Sequence, residues 1–227
     1  MESRKTADST ARIEAFSDGV FAIATTLLVL DIHVPDVHEQ ASLFRELLAN
    51  WHSYLAFVIG FFTLLVCWIN HHYMFELILK KNDKLLLVNG FKLLIVSFTP
   101  FATALISKYI GTPHQQVAVS IYAGNFFLMG LAMTSLWVYA YKSRLTVPES
   151  AQLLKAATRF WIFASVISAS IFIISFISIP VSLVLFGCMF LVYIFPKDAI
   201  IRLAGKSKLP LKGSDTVAEP NPIVSGQ

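Results

Sequence analysis

Apolar residues run along this chain in long blocks separated by short polar gaps, and the length of the blocks predicts helices that cross a bilayer. A spanning helix needs about 20 mainly apolar residues, and six stretches meet that requirement. The first runs from near Ala11 to Ile32 and stops before Pro35; the second runs from about Ser53 to Phe75. The third covers roughly Lys84 to Ile106, with a kink expected at Pro100, and the fourth covers Val117 to Tyr141. The fifth and sixth form one apolar tract from Trp161 to Phe195 that is too long for a single span, and Pro180 predicts the break. The fifth helix should begin earlier, near Pro148 or Glu149, because proline suits a first helical turn. Between Pro35 and Trp51, the segment Ala41 to Leu48 reads as a short amphipathic helix on the outer surface. The tail after Gly205 is polar and rich in Pro, Gly and Ser, which predicts disorder. The expected fold is an all-α membrane protein with a six-helix transmembrane domain over 1–204 and a polar cytoplasmic tail over 205–227.

Composition agrees with that pattern. Of 227 residues, 56% are hydrophobic and 14% charged, against about 25% charged in soluble domains. A mean hydropathy of +0.67 cannot be hidden in one small core, because a soluble chain of this size must cover a large surface. The net charge of +4 does not point to nucleic acid, since no basic cluster is interleaved with aromatics. The basic residues instead lie between the apolar runs. Most of them, from Arg4, Lys5 and Arg12 through Lys80, Lys81 and Lys84 to Lys142, Arg144, Lys155 and Arg159, fall on one side of a six-span topology. Only Arg45 and Lys108 fall on the other, which predicts both termini in the cytoplasm of a cell-membrane protein. Lys92 lies a few residues into the third span, where it is expected to snorkel outward. Cys67 and Cys188 sit inside apolar runs, as buried small hydrophobes would. The N-terminus mimics a signal peptide, but Glu14 and Asp18 interrupt the apolar stretch and no small-x-small cleavage site follows, so a retained first helix is expected.

Candidate chemistry concentrates in the first two spans. Carboxylates inside a span need a partner or a watery cavity, and Asp18 lies about two turns into the first helix. The second helix runs the other way, so Trp68, Asn70, His71 and His72 come to a similar depth and are expected to join Ser17 and Asp18 in a polar network. That network locks two helices together, and a sharper reading lets it set helix angle and gating. A metal reading would use His71, His72 and Glu76, but further ligands are not evident and no His-Glu-x-x-His motif occurs. No hydrolase elbow and no nucleotide loop is present. Further along the first helix, Ile23, Leu27 and Leu30 share a face that Val20 and Phe16 extend, with Thr26 beside it. Alone, such a stripe is packing or lipid contact. Four copies around an axis would form rings of branched aliphatics, which gate ions by dewetting.

Arg12-x-x-x-Phe16-Ser17-Asp18, followed by Gly-Val-Phe-Ala-Ile-Ala-x-Thr-Leu-Leu-Val-Leu-Asp-Ile, resembles the signature of the transmembrane protein 175 family of potassium channels. Trp68 and Asn70-His71-His72 at the end of the second span agree with one family repeat. The resemblance implies a bacterial-type, single-repeat chain that assembles as a homotetramer, with a pore lined by the first helix and no re-entrant filter loop. It places the constriction at Ile23, with Leu27 and Leu30 above it and Thr26 presenting a hydroxyl. Potassium would pass near Ile23 and Thr26 without a fixed metal site. It assigns Arg12, Phe16, Ser17, Asp18 and Trp68, with a His or Asn nearby, to the structural network. No cofactor and no enzyme activity are implied; the partners are potassium ions, the lipid bilayer and further copies of the chain. Two rival readings remain. One is a secondary transporter, proton-coupled through Asp18 and His71/His72; the other is a non-conducting scaffold. The small residues Ala164, Ser165, Ser168 and Ala169 suit close helix packing in either case.

Overall fold

The structure is a computed structural model that describes residues 2–35, 42–147, 151–194 and 196–204. The tail over 205–227 and the expected helix start at Pro148 or Glu149 lie outside the described residues, as does Ala41. Eight α-helices occur among the described residues. They are α1 (Glu2–Leu27), α2 (Leu43–Ala49), α3 (Trp51–Glu76), α4 (Asp83–Tyr109), α5 (Gln115–Lys142), α6 (Ala151–Ser175), α7 (Ile179–Ile194) and α8 (Pro196–Ala204). A 3₁₀ turn, Leu28–Asp31, continues α1. Five of these helices are long and apolar enough to span a bilayer, and α7 is a shorter apolar helix. The all-helical membrane architecture read from the apolar blocks is the one observed, with five helices of spanning length and the sixth apolar stretch present as the shorter α7.

Two boundaries differ from expectation. Helix α1 starts at Glu2 rather than near Ala11. Pro180 is not itself the break between the last two spans. The chain turns at Phe176, Ile177 and Ser178, where the backbone N–H groups of all three bond back to Ile173 or Ile174. Pro180 then sits in the first turn of α7, where the missing N–H removes no intrahelical bond. In α4 the helix continues unbroken through Pro100. The short helix expected between Pro35 and Trp51 appears as α2, and none of its residues is buried.

Packing follows from which residues each helix can hide. On α1 and the turn that continues it, Ile13, Ser17, Phe21, Ala24 and Leu28 are buried, and their 4-4-3-4 spacing keeps them on one face. That face lies against α3 and α4. Helix α4 buries Asn89, Lys92, Val96, Thr99 and Thr103 on one side, and its first turn is capped by Asn82, whose side chain accepts from the Leu85 N–H at 2.9 Å. Helix α5 then meets α4 through Asn125, which donates to the Thr99 hydroxyl at 3.0 Å.

Between α5 and α6 the small residues read from the sequence are at the contact. Ser165 donates to the carbonyl of Gly130 at 3.0 Å, and a Cβ on Gly130 would lie 3.1 Å from the Ser168 hydroxyl. Serine and glycine let these backbones approach closely, as apolar side chains would not. At one end of the bundle the α3–α4 and α5–α6 connections are tied together, with the Leu79 N–H bonded to Leu145 O at 2.9 Å and the Val147 N–H bonded to Leu77 O at 2.9 Å. This is the end that carries Lys80, Lys81, Lys142 and Arg144. Helix α8 folds back on α6 with Ile200 fully buried. Cys67 is buried as expected, but Cys188 is exposed on α7. The expectation for Cys188 is corrected because it lies on a face of α7 that no other described helix covers.

Candidate functional site

Helix α1 is two-faced. Phe21 is 3% exposed, whereas Ile23 is 62% exposed, Phe16 66% and Leu30 70%. Leu27 and Thr26 are also exposed. The residues Phe16, Ile23, Leu27 and Leu30 therefore form an uncovered apolar stripe opposite the face that holds α1 in the bundle. Thr26 lies at its edge. Its hydroxyl donates to the backbone of its own helix, 2.9 Å from Ile23 O, so the oxygen keeps its outward lone pairs.

Behind the stripe, polar residues attach α1 to its neighbours. The Trp68 indole N–H donates to Asp18 Oδ1 at 2.7 Å. Trp68 stacks on His72, ring centres 5.9 Å apart, and His72 Nε2 is 3.8 Å from a Glu76 carboxylate oxygen. Ser17 donates to Ile13 O at 2.8 Å within its own helix and accepts from the amide of Asn89 on α4 at 3.0 Å. Deeper still, Lys92 Nζ donates to His71 Nδ1 and lies 4.8 Å from the centre of the Phe21 ring. His71 packs on Phe75, ring centres 4.5 Å apart.

The residues grouped in the sequence thus divide into separate contacts. Trp68 and His72, four apart on α3, share a face and serve Asp18. His71 turns inward to Lys92. Asn70 lies on yet another side and donates to Tyr193 O at 2.8 Å and Val66 O at 2.7 Å, tying α3 to α7. A helix advances about 100° per residue, so three consecutive residues cannot reach one carboxylate. Arg12 and Phe16 are exposed and line a cleft against α4.

The expected snorkelling of Lys92 is corrected: the side chain is fully buried, because His71 and Phe21 offer it contacts inside the bundle. Asn89 and Lys92 belong to the network and were not assigned to it from sequence. Their signal was the spacing Asn89, Lys92, Val96, Thr99, Thr103, which puts polar residues repeatedly on one helical face. Among the described residues, no group of three or more His, Cys, Asp or Glu is placed to hold a metal ion.

Long apolar helices, with charged and polar side chains turned inward to one another, define a multi-pass membrane protein. The profile described as "Endosomal/lysosomal potassium channel TMEM175" matches residues 12–100. A potassium channel of Chamaesiphon minutus is 41% identical over 177 residues, covering 76% of this chain and 87% of the relative. A potassium channel of Streptomyces collinus is 33% identical over 191 residues, covering 83% of this chain and 93% of the relative. Among solved structures, a lysosomal potassium-selective channel TMEM175 homolog from Chamaesiphon minutus superposes with a TM-score of 0.72 at 39% identity, covering 84% of this chain and 97% of that one. The chain belongs to the TMEM175 family, a family of ion channels and not of enzymes.

Proposed function

We propose that this protein is a potassium-preferring cation channel in which four copies of the chain surround a pore lined by α1. The observation that carries this reading is the uncovered stripe Phe16, Ile23, Leu27 and Leu30 on a helix whose buried face lies against α3 and α4. The family relationship supports the same reading, since the two bacterial relatives described above are potassium channels. Arranged around an axis, four Ile23 side chains form an apolar ring that admits an ion only after it sheds water. Potassium holds water less tightly than sodium, so its penalty is smaller. The Thr26 oxygens, with their protons committed to the helix backbone, replace part of the lost hydration. Leu27 and Leu30 form further rings beyond Ile23. The Asp18–Trp68 and Ser17–Asn89 bonds fix the angle at which the stripe is presented.

In the proposed orientation the lysine-rich end faces the cytoplasm of a cell-membrane protein with both termini inside. Purified protein reconstituted in liposomes should pass potassium faster than sodium, without a counter-ion and without saturation at a slow turnover. Saturating or counter-ion-dependent flux would instead identify a transporter. Reporter fusions around Lys81 should read cytoplasmic and fusions near Gly111 external; the reverse pattern overturns the orientation.

A further inference from the structure

Between α3 and α7, backed by α4 and by Tyr122 of α5, lies a cavity of about 350 Å³. It is on the side of α3 away from α1. Gly60 and Trp68 bring α3 to Leu28 and Asp18. Leu55 and Phe62, which line the cavity, lie on the opposite side of the helix at about 100° per residue. The walls are almost wholly apolar, and the hydroxyl protons around them are already committed. Thr63 donates to Ile59 O at 2.8 Å, so Tyr122 is the donor in the 2.9 Å bond between their hydroxyls. Thr103 donates to Thr99 O at 2.9 Å. Water gains little in such a space: an apolar void of roughly 150 Å³ already stays dry and takes up benzene. The cavity opens on the flank of α7 at Gly187, where a Cβ would meet nothing within 4 Å. At one end Trp51 and His52 stack, ring centres 3.9 Å apart, and tryptophan favours the membrane–water interface. From Trp51 to Thr63 the cavity follows α3 for about 18 Å, a little over half of a hydrocarbon layer of about 30 Å.

We propose that this cavity holds one acyl chain of a bilayer phospholipid, drawn from the leaflet in which α3 begins. The carbonyl end of the chain lies by Trp51 and His52, with its headgroup left at the surface, and the methyl end reaches Thr63 and Phe190. The depth of the cavity matches the reach of a chain from one leaflet. Its committed hydroxyls suit methylene groups and give a polar ligand nothing to bond. Occupancy therefore follows the chain and not the charge of the headgroup. The inference depends on membrane embedding and not on conduction, so its test reads binding.

The experiment places the full chain in phosphatidylcholine nanodiscs in which one acyl chain carries a diazirine, near either its carbonyl end or its methyl end. Photolabelled residues are mapped by mass spectrometry. The carbonyl-end probe should mark Leu55 and the methyl-end probe Phe190, each above Val184. Val184 is exposed on α7 beside Leu183 but does not line the cavity, so it reports ordinary lipid contact. Phosphatidylglycerol carrying the same diazirines should give the same pattern. Gly187→Leu places a side chain in the opening and should lower labelling of Phe190 about tenfold, with Val184 unchanged. Gly187→Ala, which shares the gain in helix propensity, should label like the wild type. Wild-type labelling of Phe190 no stronger than that of Val184, or without the depth order, overturns the proposal. Labelling by phosphatidylglycerol alone overturns it too, since a headgroup would then be the ligand. A diazirine fatty acid that marks Phe190 where the phospholipids do not has the same effect, because the cavity would then be a site for free acids. A Gly187→Leu protein labelled like the wild type also removes the cavity as the site.

Discussion

Lys92 Nζ sits 4.8 Å from the centre of the Phe21 ring while donating to His71 Nδ1, so one fully buried amine on α4 touches both α1 and α3. Truncating either polar partner strands the other in an apolar interior. Lys92→Met and His71→Leu should each lower stability by about 1–3 kcal/mol. The double substitution should cost clearly less than the sum, because residues in contact are not additive. Thermal unfolding of the four proteins in detergent measures the coupling. Simple additivity would mean that Lys92 and His71 do not depend on each other.

Asp18 and Trp68 should behave as one unit. Both Asp18→Ala and Trp68→Phe remove the 2.7 Å bond, and a hydrogen bond to a charged group contributes about 1.5–3 kcal/mol. The expected result is a lower yield of assembled protein or a lower unfolding temperature in both variants, with the potassium-to-sodium flux ratio unchanged. If the variants assemble normally and lose selectivity, Asp18 belongs to the ion path and its structural role is wrong.

Ile23 is where the conduction reading is most exposed. Ile23→Ser should widen and wet the proposed ring, raising conductance and lowering discrimination against sodium. Leu27→Ala and Leu30→Ala should raise conductance with smaller effects on selectivity. Val184→Ala, on the outward face of α7, should change neither. Liposome flux with an Ile23→Ser protein indistinguishable from the wild type would remove α1 from the constriction.

Gly60 marks the crossing of three elements. A Cβ there would lie 2.9 Å from Thr103 on α4 and 3.1 Å from Leu28 in the turn after α1. Gly60→Val should force these elements apart and destabilise the bundle by about 1–3 kcal/mol. A Gly19→Ala control should be neutral within one chain, since its Cβ meets nothing within 4 Å. Circular dichroism melts of the two variants compare them directly, and equal melting would show that the crossing tolerates side chains.

The bundle was legible wherever burial in lipid and helix length coincide. Apolar blocks located α3 to α5 to within a few residues, and Pro180 signalled the α6–α7 boundary within a turn, whereas the apolar tract from Trp161 missed the first turns of α6, which begins at Ala151. The extension of α1 back to Glu2 was not legible because Glu2 to Thr10 is polar, and hydropathy is silent about a helix that leaves the membrane. Lys92 was misread because depth in the bilayer was weighed without its neighbours: the same residue snorkels on a lipid-facing surface and turns inward when a histidine and an aromatic ring await it. Asn70 was grouped with His71 and His72 by adjacency in sequence, although helical rotation sends the three in different directions. The two-faced character of α1 was visible in its spacing, but only the structure shows which face the rest of the chain covers.

The brevity of α7 has a mechanical consequence. Its 16 residues make a rod of about 24 Å, against a hydrocarbon layer of about 30 Å. Val181 and Val184 on its outward face must nevertheless meet acyl chains. The lipids along that flank are compressed, or the helix stands upright and borrows length from Phe176 and Ile177 at its end, at a modest cost per ångström of mismatch. Because α7 is tied to α3 through Asn70, a length mismatch borne by α7 is expected to load the same helix that carries Trp68 to Asp18.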